Sequence, residues 1–132
     1  MLNVFERSVL RRIFGPEIDE VTGERRLRHN VDLMALADIP PLSCFIRAQR
    51  LRWAGHVARA PDDSLIKMVL LGRPDGVRPL GRPRTRWADN IRRDLLILGE
   101  DPDEWMQIAE DRRRWRRLVL AAMDHRGLAP LE

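Results

Sequence analysis

The chain has a single cysteine, Cys44, a single lysine, Lys67, and no tyrosine among its 132 residues. One cysteine excludes an internal disulfide and a cysteine-rich zinc site. No apolar run approaches the roughly 20 residues that a membrane-spanning helix needs. The residues after Met1 also lack the basic and apolar stretches of a signal peptide. We therefore expect an intracellular protein, nuclear or cytoplasmic, that is neither secreted nor bound to a membrane.

Charged residues make up 33% of the sequence and hydrophobic residues 44%, which is typical of a folded globular domain. The length suits one small core, so we predict a single small domain over residues 1–132. The net charge is +4, and nearly all the cationic side chains are arginines. Arginine contacts phosphates bidentately and stacks on bases better than lysine does. This bias favours a nucleic-acid partner, and a GC-rich genome is the alternative explanation for it.

Apolar residues recur at helical spacing along most of the chain, and no long stretch alternates between apolar and polar residues as a strand does. The pattern predicts an all-α fold of five to seven short helices around one small core. Their approximate positions are 2–14, 30–37, 43–59, 65–70, 87–98 and one or two helices between Asp101 and a stop at Gly127. The stretch from Glu17 to Arg28 is predicted to be a loop. A strand remains the alternative for 65–70, because short apolar runs are ambiguous.

The four tryptophans each lie on the apolar side of a predicted helix, and a tryptophan at helical spacing is most often a core residue. We therefore predict four structural core side chains: Trp53, Trp87, Trp105 and Trp115. Each indole N–H then needs an acceptor at the edge of the core. Stacking on nucleic-acid bases is the alternative. A polar stripe at i, i+4 and i+7 runs beside the apolar side of the helix over 43–59, and it consists of Arg52, His56 and Arg59.

Residues 72–86 hold three prolines, three glycines and five arginines against one acid, which predicts an extended basic loop. Within it, Gly81-Arg82-Pro83 followed by Arg84 resembles the core of an AT-hook, an extended segment that lies in a narrow minor groove. A linker that its charge keeps extended is the alternative. The candidate nucleic-acid-binding residues of this loop are Arg73, Arg78, Arg82, Arg84 and Arg86.

A second arginine cluster follows Asp111 and fills residues 112–117. Three of its members are further candidates for binding nucleic acid: Arg112, Arg113 and Arg116. We expect part of the cluster's charge to pair with acids on neighbouring helices such as Asp89 and Asp94. In that case the cluster would serve stability more than binding.

Three blocks of residues, in this order, resemble the C-terminal region of RTE-like non-LTR retrotransposon endonuclease/reverse-transcriptase polyproteins: Leu51–Arg59, Gly81–Trp87 with Asp94-Leu95 after it, and Asp111–Leu118. The opening Phe5–Pro16 and the closing His125–Leu128 resemble it too, so the likeness covers essentially the whole chain. It implies a module that follows the polymerase thumb and helps to hold template RNA or target DNA, with the upstream reverse transcriptase as its partner. Alternatives are a purely structural module that packs on that polymerase and a functionless transposon remnant.

In that family the catalytic aspartates of the polymerase and the endonuclease lie upstream of this region. The absence of tyrosine excludes the usual Tyr-x-Asp-Asp motif. Met1 falls where such a polyprotein would run on, which suggests a truncated or host-captured fragment or an artefact of the gene model. In such a piece, Leu2, Phe5 and Val9 would form an exposed apolar patch.

No catalytic, metal-binding or cofactor-binding residues are therefore predicted. The three histidines, His29, His56 and His125, have no metal-ligand spacing. The only Asp-Asp pair, residues 62–63, stands at a helix start, where capping explains it better than catalysis. Pro74-Asp75 with Asp89 is similar to the restriction-like endonuclease motif of other retroelements, but that motif needs a strand and a nearby lysine, whereas Asp89 lies on a predicted helix.

Overall fold

A computed structural model describes residues 2–72, 81 and 85–124 of the chain. The chain divides into two compact units, Met1–Ile46 and Arg47–Glu132, and the boundary falls inside a helix. The candidates Arg73, Arg78, Arg82 and Arg84 and the predicted stop at Gly127 lie outside the described residues, as does most of the predicted basic loop.

The first unit contains two helices, a two-stranded hairpin and the start of a third helix. These elements are α1 (Leu2–Phe14), β1 (Glu17–Ile18), β2 (Arg25–Arg26), α2 (Asn30–Ala37) and the first residues of α3 (Leu42–Ala58). α1 packs against α2, and Gly15 follows α1 with a φ of 68° that favours glycine. The Asn30 side chain does not cap α2; it accepts a hydrogen bond of 2.6 Å from Arg11.

The prediction of a plain loop over residues 17–28 is wrong, because β1 and β2 pair antiparallel with Glu17 opposite Arg26. The turn between them is built by Asp19, whose carboxylate accepts the backbone N–H groups of Val21 (2.9 Å) and Thr22 (3.1 Å). These two hydrogen bonds lower the pKa of Asp19. Strands of two residues are too short to show the alternation by which a sequence reveals a strand.

The second unit continues α3 and adds α4 (Leu65–Leu71), α5 (Trp87–Ile97), α6 (Trp105–Glu110) and α7 (Arg112–Met123). The described part of the chain therefore holds seven helices and one tiny sheet, which confirms the prediction of an all-α fold with five to seven helices. The apolar run after residue 64 is a helix and not a strand. Its cap is Ser64, whose hydroxyl accepts from the Lys67 backbone N–H at 3.4 Å.

The core of the second unit lies where α3, α5, α6 and α7 meet. Its buried residues are Ala48, Leu51, Ala54, Ala58, Ile91, Leu95, Trp105, Ile108, Ala109, Trp115, Leu118, Val119 and Ala122. Trp105 and Trp115 are 4% and 3% exposed, and their ring centroids lie 6.4 Å apart. The indole N–H of Trp115 donates to the backbone carbonyl of Leu51 at 2.8 Å. Trp87 is only partly buried and packs against this cluster from its edge.

The prediction that Trp53 is a core residue is wrong, because its side chain is 52% exposed. The buried face of α3 is centred on Leu51, and small residues such as Ala54 and Ala58 flank it there. Successive residues of a helix are rotated by about 100°, so Trp53 lies about 200° from Leu51 and faces away from the core. Ile46, another large apolar residue of α3, is 41% exposed.

Candidate nucleic-acid interface

Asp94 on α5 is the buried carboxylate of the second unit, and two arginines of α3 hold it. Arg50 binds it through two hydrogen bonds, Nε to Oδ2 at 2.6 Å and Nη2 to Oδ1 at 3.1 Å. Arg47 lies with its Nε 3.4 Å from Oδ1. Asp94 is 3% exposed and Arg47 9% exposed, so this cluster is structural and leaves Asp94 no room for an arginine of α7.

Asp89, the other acid expected to pair with the arginines after Asp111, also has a local role. Its carboxylate accepts the backbone N–H of Arg86 at 2.8 Å, at the start of α5. The expectation that Asp89 and Asp94 neutralise the α7 cluster is therefore wrong. Sequence alone could not show that residues on α3 and at the start of α5 occupy both carboxylates first.

Most of the arginines of α7 form no ion pair within the part of the chain that the structure describes, although the Asp111 carboxylate interacts electrostatically with Arg113 and Arg117. Arg114 is the exception, since its Nη2 lies 2.6 Å from a Glu100 carboxylate oxygen. Arg112, Arg113 and Arg116 are exposed and form no ion pair with any described residue. We call these three, together with Arg59, the α7 arginine surface.

The N-terminus of α7 is held by Asp111, which precedes the arginines. Its carboxylate accepts the backbone N–H groups of Arg113 (2.9 Å) and Arg114 (3.1 Å). These hydrogen bonds lower the pKa of Asp111, with smaller contributions from the positive charges of Arg117 and Arg113. Such a cap matters here, because three arginines in the first turn oppose the positive end of the helix dipole.

Arg59 connects the polar stripe of α3 to this arginine surface. Its Nη1 donates to the backbone carbonyl of Ala109 at 2.6 Å. Burial lowers the pKa of the Arg59 guanidinium, and the nearby positive charge of Arg112 lowers it further. Two arginines that repel each other at this point create a local excess of positive charge. The i, i+4, i+7 stripe was visible in the sequence, but its meeting with α7 across about 50 residues was not.

A groove of about 870 Å³ lies beside α3. Its lining includes Trp53 and Val57 of α3, apolar residues of α4, and Trp87 of α5. Arg86 and Arg92 also line the groove. The His56 ring lies 5.3 Å from the ring of Trp53, tilted by 34°. Of the five candidate arginines in the predicted basic loop, Arg86 is the one that lies in the described part of the chain.

The predicted helix cap at Asp62-Asp63 is replaced by another contact. Ser64 caps α4, and Asp62 instead lies 2.6 Å from the Lys67 amine. That ion pair lowers the pKa of Asp62. Among the described residues, no three His, Cys, Asp or Glu side chains stand close enough together to hold a metal ion. In the same part of the chain, no helix combines the length and apolar character needed to cross a membrane.

No protein-family model matches the chain, and no solved structure matches it either. A protein of Caenorhabditis elegans, described as transposon-derived and itself uncharacterized, is 29% identical to the chain over 122 residues. The matched region is 89% of this chain and 43% of that protein, so the chain spans less than half of the relative's length. This similarity supports a transposon origin of the chain.

Proposed function

We propose that this chain is a non-catalytic module from the C-terminal region of a non-LTR retrotransposon reverse transcriptase, and that it assists the binding of template RNA or target DNA. Its transposon-derived relative supports the origin. The ordered blocks that resemble RTE-like polyproteins support the narrower assignment, and the α7 arginine surface supports the binding role.

The observation that carries the binding role is the uncompensated charge of α7. If the cluster only stabilised the fold, its members would pair with carboxylates, as Arg114 does with Glu100. Instead, Arg112, Arg113 and Arg116 have no ion pair among the described residues, and Arg59 lies near Arg112. A polyanion would relieve this repulsion, and the release of its counterions would favour binding.

The test is a salt titration of binding to a labelled duplex and to a labelled single strand, followed by fluorescence anisotropy. If each of Arg112, Arg113 and Arg116 neutralises one phosphate, replacing all three by Ala makes the slope of log K against log salt shallower by about 2.7 on duplex DNA and about 2.1 on single strands. The melting temperature should change little, because these side chains are exposed.

The matched control removes the same charge outside the α7 arginine surface, by Arg12→Ala, Arg25→Ala and Arg93→Ala together. These side chains are exposed as well. We expect the control to keep a slope close to that of the wild-type chain. Equal losses in both triple variants would mean that only the net charge matters, and they would contradict a specific surface on α7.

The loop arginines remain candidates of the proposed interface, although only Arg86 of the five lies in the described part of the chain. If Arg73, Arg78, Arg82, Arg84 and Arg86 each meet one phosphate, they contribute about −4.5 to the slope on duplex DNA and about −3.5 on single strands. If replacement of all five by Ala leaves the affinity unchanged at two salt concentrations, residues 72–86 act only as a linker.

The non-catalytic assignment is tested with magnesium and with manganese. We expect no polymerase or nuclease turnover with either ion. Asp89, one acid of the nuclease alternative, lies on a helix and accepts the Arg86 backbone N–H. Metal-dependent cleavage that disappears in Asp75→Ala would make the nuclease alternative right.

A second candidate function is packing on the upstream polymerase, and the exposed side of α1 favours it. Val4 and Phe5 are each 63% exposed, and Ile13 is 68% exposed. Leu2 and Val9, which share one side of α1 with Phe5, are exposed as well, and contiguous apolar surface marks interaction sites. This function predicts that Phe5→Glu weakens association with a polymerase thumb that precedes this region and leaves nucleic-acid binding intact.

A further inference from the structure

Trp53 is the large aromatic side chain that the second unit leaves half exposed. Its indole is 52% exposed, although tryptophans contribute most when their large apolar area is covered. It is not isolated, since the His56 ring lies 5.3 Å away and the side chain lines the groove between α3, α4 and α5. A flat aromatic surface at the edge of a groove is therefore available to a ligand.

The groove has the size and chemistry of a binding site. Its volume of about 870 Å³ falls in the usual range for small-molecule sites, about 300 to 1,000 Å³. Ile66 and Val69 of α4 contribute apolar lining. Arg86 and Arg92 line its α5 side together with Asp89, and an exposed Asp103 carboxylate lies 3.5 Å from Arg92 Nε.

We infer that this groove binds an unpaired base of single-stranded nucleic acid, which stacks on Trp53, while Arg86 and Arg92 contact the adjacent phosphates. The inference rests on the proposed function and narrows it to a preference for single strands. Stacking on aromatic side chains is how proteins hold unpaired bases without reading their sequence. The faces of paired bases are covered by their neighbours in the duplex, so only an unpaired base can use this site.

An apolar peptide is the other occupant that the apolar side chains of α4 in this groove would accept. The charge of α3 favours the nucleic acid, because Arg52 is exposed next to Trp53 and Arg59 continues the same stripe towards Arg112. From Trp53 to Arg59 the helix rises only ~9 Å. The two residues also lie about 120° apart around the helix axis, so a strand whose base stacks on Trp53 would have to continue around α3 to reach the α7 arginine surface.

The experiment compares the affinity of the whole chain for a labelled single strand and for the same strand in a duplex. Trp53→Ala should weaken single-strand binding by about 5- to 150-fold, the range that corresponds to the loss of one stacked base. Duplex binding should stay the same, and the salt slope should too, because no phosphate contact is removed. Trp53→Phe should restore most of the affinity. Phe5→Ala, which removes an exposed aromatic side chain in the first unit, is the matched control and should change neither affinity.

A fluorescence measurement gives an independent result. Single-stranded DNA should quench the part of the emission that is lost in Trp53→Phe, and an apolar peptide should not. Wild-type affinity for single strands in Trp53→Ala would overturn the stacking site, and the proposed function would survive if the α7 triple variant still loses affinity. An equal loss on duplex and single strand, or quenching by the peptide alone, would also overturn it. Absence of all binding by the wild-type chain would overturn both proposals.

Discussion

The indole of Trp115 lies directly over Gly55, so close that a Cβ atom at position 55 would overlap its Nε1. The same Nε1 donates to the carbonyl of Leu51 one turn earlier on α3. Glycine inside a helix costs about 1 kcal/mol relative to alanine, and here it makes room for the Trp115 indole. This contact explains why a glycine stands inside α3.

Gly55→Ala should therefore destabilise the chain, although alanine is the better helix former. The clash with Trp115 should cost about 1–3 kcal/mol and exceed the gain in helix propensity of about 1 kcal/mol. In a Trp115→Ala background the clash is absent, so the same substitution should become neutral or stabilising. Chemical denaturation of the four proteins in this double-mutant cycle provides the measurement, and an unchanged effect of Gly55→Ala in both backgrounds would contradict the contact.

The tryptophans should fall into two groups when each is replaced by Ala. Trp115→Ala should lower the free energy of unfolding by about 3–5 kcal/mol, because a buried indole leaves a cavity and the Leu51 carbonyl loses a donor. Trp87→Ala should cost less, since Trp87 is only partly buried. Trp53→Ala should change it by less than about 0.5 kcal/mol, as is usual for exposed positions. If thermal or chemical unfolding shows a large loss of free energy for Trp53→Ala, Trp53 is a core residue.

The helices were predictable from the sequence because their apolar period is local, as in α7, where Trp115, Leu118 and Ala122 are all buried as the spacing indicates. The orientation of α3 was not. Its core face is lined by Ala48 and Ala54, which carry little hydrophobic signal, while the larger Trp53 lies outside. A pattern weighted by residue size therefore pointed to the wrong side.

The candidate site was predictable only as separate pieces. The sequence marks the arginines after Asp111 and the stripe that ends at Arg59, but the proximity of Arg59 to Arg112 depends on tertiary packing. Which carboxylates remain unpaired also depends on packing, since Asp94 is bound by Arg50, a residue 44 positions earlier in the sequence. The sequence therefore shows where the charged residues are, but not which of them pair with one another in the folded chain.

Asp94 and its two arginines should respond asymmetrically to substitution. Asp94→Ala leaves Arg47 and Arg50 without their carboxylate, and breaking a buried ion pair in this way costs about 3–5 kcal/mol.

The two arginines differ in how well they are satisfied. Arg47 has two buried nitrogens, Nε and Nη1, without a hydrogen-bond partner among the described residues. Arg47→Met should therefore be nearly neutral or stabilising, whereas Arg50→Met should be destabilising, because Arg50 makes both short hydrogen bonds to Asp94. Denaturant unfolding distinguishes the two, and equal losses would show that Arg47 contributes as much as Arg50.

The cap at the start of α7 should give the chain a stability that depends on acidic pH. The folded state lowers the pKa of Asp111 below its usual value of 3.8, so the unfolded chain takes up the proton first as the pH falls. The stabilisation is fully present above the unfolded pKa, and it is lost as the pH falls through the folded pKa.

Asp111→Ala should accordingly lower the melting temperature at pH 6. The difference from the wild-type chain should shrink below about pH 4, and it should vanish once the wild-type carboxyl is protonated in both the folded and the unfolded state. Asp63→Ala is the control, because Asp63 is exposed and forms no hydrogen bond with any described residue. A gap between wild type and Asp111→Ala that stays constant from pH 6 to pH 2 would mean that the charge of Asp111 does not stabilise the helix start, and that α7 begins there through backbone packing alone.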